Sequence, residues 1–234
     1  MNTRNMIFTV SFLIFSVGGT KAAFAATVPF TENFTSDSAN WFNATSSGPV
    51  DWQAAGGPDG SSYATTDFNP INSQVDDTAV LFRAQDEFGS SGNQFVGDYV
   101  TEGVTEFSTF VRHNAAVPVN FFVRFSTAIN FPGGVAIDFV PVLPNVWTEI
   151  TVAIDALNPQ FVTFEGSDFA TVFGAVGHIQ VGPSIPAALA GVDTNLTIDL
   201  DQPTIVPEPG SGLMLLGVGV CAMMTARRRR HNGC

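Results

Sequence analysis

Cysteine is almost missing from this 234-residue chain: the only two, Cys221 and Cys234, lie near its C-terminus. The body before them can therefore form no internal disulfide and no thiolate metal centre. Positive charge is equally scarce. Six of the nine basic residues sit in the two ends, as Arg4, Lys21 and Arg227 to Arg230. Between residues 26 and 205 only Arg83, Arg112 and Arg124 remain, against 20 acidic residues, for a formal net charge of −17 and no lysine. Such a body repels phosphate backbones, which excludes nucleic-acid binding. A nucleotide-phosphate cradle is excluded as well. The glycine-rich stretch Gly56 to Ser62 (GGPDGSS) lacks the Gly-Lys-Ser/Thr ending, and Pro58 and Gly60 break the spacing of a repeat-type calcium loop. Catalytic signatures are thin. His113 and His178 are the body's only histidines, neither stands in a metal-binding spacing, and no Gly-x-Ser-x-Gly elbow occurs.

The two ends read as address labels. Near the N-terminus, Arg4 precedes the apolar run Met6 to Val17 and then Gly18-Gly19. Ala23-Phe24-Ala25 supplies the small residues a signal peptidase accommodates, so residues 1–25 read as a signal peptide cut between Ala25 and Ala26. An apolar run of 12 residues is short for a spanning helix, which needs about 20.

The other end, residues 206–234, reads Val206-Pro207-Glu208-Pro209, then an apolar helix over 210–226, then Arg227, Arg228, Arg229 and Arg230. At about 1.5 Å per residue its apolar part spans about 21 to 26 Å, close to a bilayer core of about 30 Å. Arginines that snorkel and stay cytoplasmic put the body on the export side. This order of motif, short apolar helix and basic cluster resembles the PEP-CTERM sorting signal of Gram-negative bacteria. The resemblance implies recognition by a membrane-embedded exosortase, processing near Pro207-Glu208-Pro209, and transfer to the cell surface or matrix after a transient hold in the inner membrane. An ordinary single-pass anchor is the alternative.

The 180 residues between, 26–205, suit one domain with a full core. Phenylalanine is abundant at 22, and short β-patterned runs recur between glycine and proline turns. The pattern predicts strands over Thr27–Phe34, Ala79–Ala84, Gly134–Val140, Val146–Ile154, Val176–Val181 and Asn195–Val206. It also predicts a long hairpin of Val104–His113 and Pro118–Thr127 across Asn114 to Val117. In Val146 to Ile154, Val146, Ile150, Val152 and Ile154 share one face while Trp147, Glu149 and Thr151 take the other. Phe107, Phe110, Phe121, Phe122 and Phe125 read as core and cross-strand pairs. One short helix is expected over Ser167–Phe173, with Ser167 as its N-cap. The sum is an all-β antiparallel sandwich.

The order of features resembles jelly-roll carbohydrate-binding modules: Glu32-Asn33-Phe34, Trp41, Trp52 with the GGPDG loop, paired central strands and a closing Thr197-Ile198-Asp199-Leu200-Asp201. That resemblance implies a structural calcium tying the first strand to the last, with Glu32 and Asp199 or Asp201 as ligands. Asp199 and Asp201 share a face, and alternation on a solvated edge strand explains them equally. Trp52 and Trp147 are candidate sugar platforms, as is Trp41, with packing in the core as the competing role. Arg112 and Arg124 suit either a glycan contact or an ion pair within the domain.

The expectation is an exported, surface-sorted protein without catalysis that interacts with extracellular polysaccharide. A structural or adhesive component contacting matrix proteins and a glycan-active hydrolase are the alternatives. The hydrolase would show two carboxylates in a cleft, one with a raised pKa. Acidity favours neutral glycans or calcium-bridged ones.

Overall fold

The computed structural model describes residues 25–207 apart from 46 and 138. The expected signal segment up to Phe24 and the tail from Glu208 onward, with its apolar helix and arginines, lie outside the described residues.

In chain order the strands are β1 (Phe30–Thr31), β2 (Asp51–Gln53), β3 (Tyr63–Phe68), β4 (Phe82–Gln85), β5 (Val104–His113), β6 (Asn120–Thr127), β7 (Gly133–Ala136), β8 (Thr148–Ala153), β9 (Phe161–Thr163), β10 (Val176–Ser184) and β11 (Leu196–Pro207). One helix, α1 (Phe169–Phe173), precedes β10. The strands form two antiparallel sheets. The larger has the order β2-β3-β11-β5-β8, with β1 added to the end of β11, and the smaller has the order β4-β10-β6-β7-β9. They pack face to face as a jelly-roll-like sandwich.

Strand period decides what lies between the sheets. Phe107, Thr109, Val111 and His113 of β5 point inward, as do Phe121, Val123 and Phe125 of β6. Phe107 meets Phe125 across the core edge-to-face, with ring centroids 5.5 Å apart. Tyr99, Phe161 and Phe173 close around the Phe125 ring. Full burial of each such ring stabilises the fold by roughly 2–3 kcal/mol, and the edge-on geometry adds to that. Thr109 and Tyr99 are polar groups drawn inside with their hydrogen bonds made. The Thr109 hydroxyl donates to the Asp201 carbonyl at 2.9 Å, and the Tyr99 hydroxyl donates to the Phe95 carbonyl at 2.8 Å. Burial pushes the Tyr99 phenol far up.

Four expectations change. β5 and β6 are not a hairpin: β5 pairs with β11 and β8, whereas β6 pairs with β10 and β7. The link from Asn114 to Val117 carries the chain from one sheet to the other, so the apolar faces of the two strands look at each other across the core. His113 and Ala115 anchor that crossing. The Ala115 N–H donates to His113 Nδ1 at 3.1 Å, which leaves Nε2 to donate to the Val142 carbonyl at 2.9 Å. Phe107, Phe121 and Phe125 are thus core residues, while Phe110 is half-buried on the outer face of the larger sheet and Phe122 is buried outside the central core. The helix begins one residue later than expected, because Asp168 is its N-cap: its backbone is extended, and its carboxylate accepts from the Thr171 N–H at 2.8 Å. Ile150, Val152 and Ile154 are buried together as predicted, but Val146 is exposed because it precedes β8 in a turn.

Candidate functional site on the outer face of the larger sheet

Antiparallel register stacks outward side chains in rows across the larger sheet. One row runs Asp51, Thr65, Asp199 and Arg112 over β2, β3, β11 and β5. Three of its members are tied together. Thr65 Oγ1 donates to Asp199 Oδ1 at 2.6 Å, and both Arg112 Nε and a terminal guanidinium nitrogen reach Asp199 Oδ2 at 2.8 Å. Asp199 is buried, so this pair is a neutralised floor rather than an exposed charge.

Aromatic rings rise beside that floor. Tyr63 and Trp147 meet edge-to-face at 5.4 Å, and the Arg112 guanidinium lies 4.5 Å from the Trp147 ring centroid and 5.1 Å from that of Tyr63. Such stacking holds the cation and both rings in one arrangement. A cavity of about 250 Å³ opens here, lined by Gln53, Tyr63, Thr65, Arg112, His113, Asn114, Asn145, Thr197 and Asp199. The only formal charges in that lining are the paired Arg112 and Asp199. Amides and hydroxyls make up most of the rest, and the side chains of Gln53 and Asn145 carry no hydrogen bond to another described residue. Neutral donors and acceptors beside an aromatic edge suit hydroxyl-rich, uncharged ligands.

The GGPDGSS loop folds over the same face. The Gly56 carbonyl accepts from Trp147 Nε1 at 2.9 Å and from Arg112 Nη1 at 3.3 Å, which ties the loop to the site. Deeper in the loop, Ser61 Oγ donates to Asp201 Oδ2 at 2.5 Å, and the Gln202 N–H donates to Oδ1 at 2.8 Å. Gly57 is needed at this contact, because a Cβ there would run into Ser61 Oγ and Asp201 Oδ2. The loop seals Asp201 completely from solvent. Burial raises its pKa to about 6, against the opposing hydrogen bonds from Ser61 and Gln202.

Other candidates fall elsewhere. Trp41 is fully buried in the core and donates from its indole to Ser91 Oγ at 2.9 Å, and Trp52 is half-buried with its indole on the Phe34 carbonyl at 2.6 Å. Of the three tryptophans only Trp147 reaches the site. Arg124 forms a two-pronged pair with Glu165 at 2.6 and 2.7 Å on the smaller sheet. Both arginines therefore make ion pairs within the domain. His178 is buried, with Nδ1 at 3.1 Å from Asn130 Oδ1 and Nε2 at 3.6 Å from Asp86, and burial lowers its pKa.

The residues proposed for calcium do not fit as a set. The Glu32 carboxylate caps the Phe34 N–H at 2.8 Å, Asp199 is committed to Arg112 and Thr65, and Asp201 to Ser61. Among the described residues no group of three or more Asp, Glu, His or Cys side chains converges to hold a metal ion. Tyr63, Gln53, Thr65, Asn114 and Asn145 were not foreseen as site residues. The alternation of Tyr63, Thr65 and Asp67 against Ala64, Thr66 and Phe68 is the signal that marks the first and third of these.

Residues 206–230 match the PEP-CTERM protein-sorting motif. No curated protein matches the chain. Among solved structures, an exo-β-agarase is similar at a TM-score of 0.52 and 10% identity, covering 78% of this chain and 26% of that one. A Clostridium thermocellum endo-1,4-β-D-xylanase fragment, a family 22 carbohydrate-binding module with its glycoside hydrolase module in complex with xylohexaose, gives 0.46 and 15%, covering 77% and 28%. A family 11 carbohydrate-binding module of a cellulosomal cellulase from the same organism gives 0.45 and 10%, covering 78% and 96%. The chain thus spans about a quarter of the length of the agarase and xylanase chains. The agarase likeness is one of fold.

Proposed function

We propose that this protein is exported, sorted to the cell surface through its PEP-CTERM tail by an exosortase-type enzyme, and there binds neutral extracellular polysaccharide without catalysis. One observation carries the binding reading: the outer face of the larger sheet holds a cavity of about 250 Å³ in which amides and hydroxyls surround a single neutralised ion pair beside Tyr63 and Trp147. A sugar ring offers apolar faces to an aromatic edge and hydroxyls to Gln53, Asn114 and Asn145. The body's net charge of −17 turns anionic polymers away from the same face.

The hydrolase alternative lacks support from the carboxylates. Asp201 has the raised pKa of a general acid, yet it lies sealed under the loop, and Asp199 is held by Arg112. A proton donor must reach its substrate within hydrogen-bond distance. The structural alternative calls for buried tryptophans and a featureless surface. Trp41 fits it, whereas the cavity beside Trp147 favours ligand binding.

The test is binding of the purified Ala26–Pro207 domain to a panel of neutral and acidic polysaccharides, with calcium and again with chelator, alongside Trp147→Ala. Binding to neutral polymers in chelator that Trp147→Ala weakens supports the proposal. Binding that needs calcium returns Glu32, Asp199 and Asp201 to consideration. Absence of binding to every polymer sinks the glycan reading.

A further inference from the structure

The Gly56–Ser62 loop is fastened at both ends, and the two fastenings serve different groups. At its start the Gly56 carbonyl holds Trp147 Nε1 at 2.9 Å and Arg112 Nη1 at 3.3 Å, beside the cavity. At its close Ser61 Oγ donates to Asp201 Oδ2, and Ser62 Oγ donates to the Phe34 carbonyl at 2.7 Å. Between them the loop is bonded to itself: the Gly57 N–H donates to the Ser61 carbonyl at 2.8 Å, and the Gly60 N–H to the Gly57 carbonyl at 3.0 Å. The two ends therefore form one unit, and a displacement at Asp201 is felt at Trp147.

Asp201 lies beneath this unit with no exposed surface. Phe110 of β5 stands opposite it, with Glu149 of β8 beyond, and Tyr63 opens β3 where the loop ends. The loop adds Asp59, whose charge opposes that of Asp201, and Glu32 is turned to the Phe34 N–H. Arg112, in the next row of the sheet, is closed on Asp199. Every charged member of this set is an acid or is already paired. An ionised Asp201 reaches water only if the loop lifts, and lifting takes the Gly56 carbonyl away from Trp147 and Arg112.

We infer that this loop is a latch on the cavity, worked by the proton on Asp201: closed over the protonated carboxyl it keeps Trp147 and Arg112 in place, and when the proton leaves it lifts and lets them go. This rests on the glycan reading of the cavity and adds its regulation by pH. The sign follows from linkage. Burial raises the Asp201 pKa from 3.8 to about 6 while the loop is closed, whereas a lifted loop returns the carboxyl to water. The closed form therefore keeps its proton over a range in which the open form has lost it, and opening gains as pH rises through that range. Between pH 5 and pH 7.5 the gain is about tenfold. Glycan affinity falls in the same direction, because fewer molecules hold the ring and the guanidinium in their bound arrangement.

The experiment uses the full chain purified in detergent, with Asp201→Asn beside it. Hydrogen exchange of peptides covering the loop is followed at pH 5 and pH 7.5, corrected for the intrinsic pH dependence of amide exchange. Binding of neutral agarose, xylan and mixed-linkage glucan is measured at the same two pH values. The expected result is a loop that loses about tenfold in protection at pH 7.5, with weaker polysaccharide binding there, and neither change in Asp201→Asn. Loop protection in the unaltered chain that is the same at both pH values overturns the latch, whether or not the variant folds. Protection that falls while affinity stays constant overturns the link between latch and cavity. A loop that responds to pH in a chain that binds none of the three polymers at either pH upholds the latch and sinks the glycan reading.

Discussion

Replacing Asp201 with asparagine should stabilise the domain at neutral pH. Asp201 is fully buried under the Gly56–Ser62 loop, where it accepts from Ser61 and from the Gln202 N–H. Burial dominates those hydrogen bonds and raises its pKa from 3.8 to about 6, with nearby Asp59 adding to the rise. Between these two values the folded chain holds a proton at this site that the unfolded chain releases. Stability from this group is therefore complete below pH 3.8 and is lost as pH rises through about 6. The loss amounts to about 3 kcal/mol. Asparagine has the same shape, keeps an oxygen for the Gln202 N–H and offers an amide to Ser61 Oγ, but never ionises. Urea unfolding of both proteins from pH 4 to pH 8 should show a stability difference near zero at pH 4 that grows to about 3 kcal/mol in favour of Asp201→Asn at pH 8. A difference that stays constant with pH, or shrinks as pH rises, would refute the argument that a desolvated carboxylate sits beneath the loop.

Other expectations follow from the same geometry. Trp147→Ala should weaken polysaccharide binding at least tenfold in titration calorimetry, about 1.4 kcal/mol, because it removes the ring that holds Arg112 and Tyr63 in place beside the cavity. Trp41→Ala should cost about 3–5 kcal/mol in denaturant unfolding while leaving the affinity of the remaining folded fraction unchanged. Arg112→Ala strands the buried Asp199 charge and should cost about 3–5 kcal/mol, whereas the double change Arg112→Met with Asp199→Leu should recover most of it; equal losses in both would overturn the ion-pair account. Gly182→Ala places a Cβ against the Ala79 carbonyl, and circular-dichroism melts should show one of the largest losses of any small substitution.

The fold class was legible because strand period is a local property. Val104–His113 was read with both its boundaries correct, and the inward set Ile150, Val152 and Ile154 was readable from its alternation. The partner of a strand is not a local property. Two adjacent apolar strands with a short link look alike whether they pair side by side or face each other across a core, and here they face. β2 and β9 escaped notice because three residues carry too little period, and β3 because Thr65 and Thr66 blur its alternation. The site was half legible. Trp147, Asp199 and Arg112 stood out by residue type, but the cross-strand register that gathers Gln53, Tyr63, Thr65 and Asn145 around them comes from the whole sheet. Asp201 was noticed for its alternation, and the reason it is buried, a loop of glycines and serines folding back over it, could be seen only once that loop had a place to lie.

The position of β11 has a consequence for the order in which the larger sheet can form. It is the last strand among the described residues, yet it sits at the centre of the larger sheet, where β3, β5 and β1 all depend on it for a neighbour. Until Leu196 to Pro207 has emerged, β2 and β3 on one side and β5 and β8 on the other are two fragments with no seam between them. Two-stranded fragments are marginal in water. The smaller sheet contains no part of β11, whereas the larger sheet is completed only when this strand docks between β3 and β5.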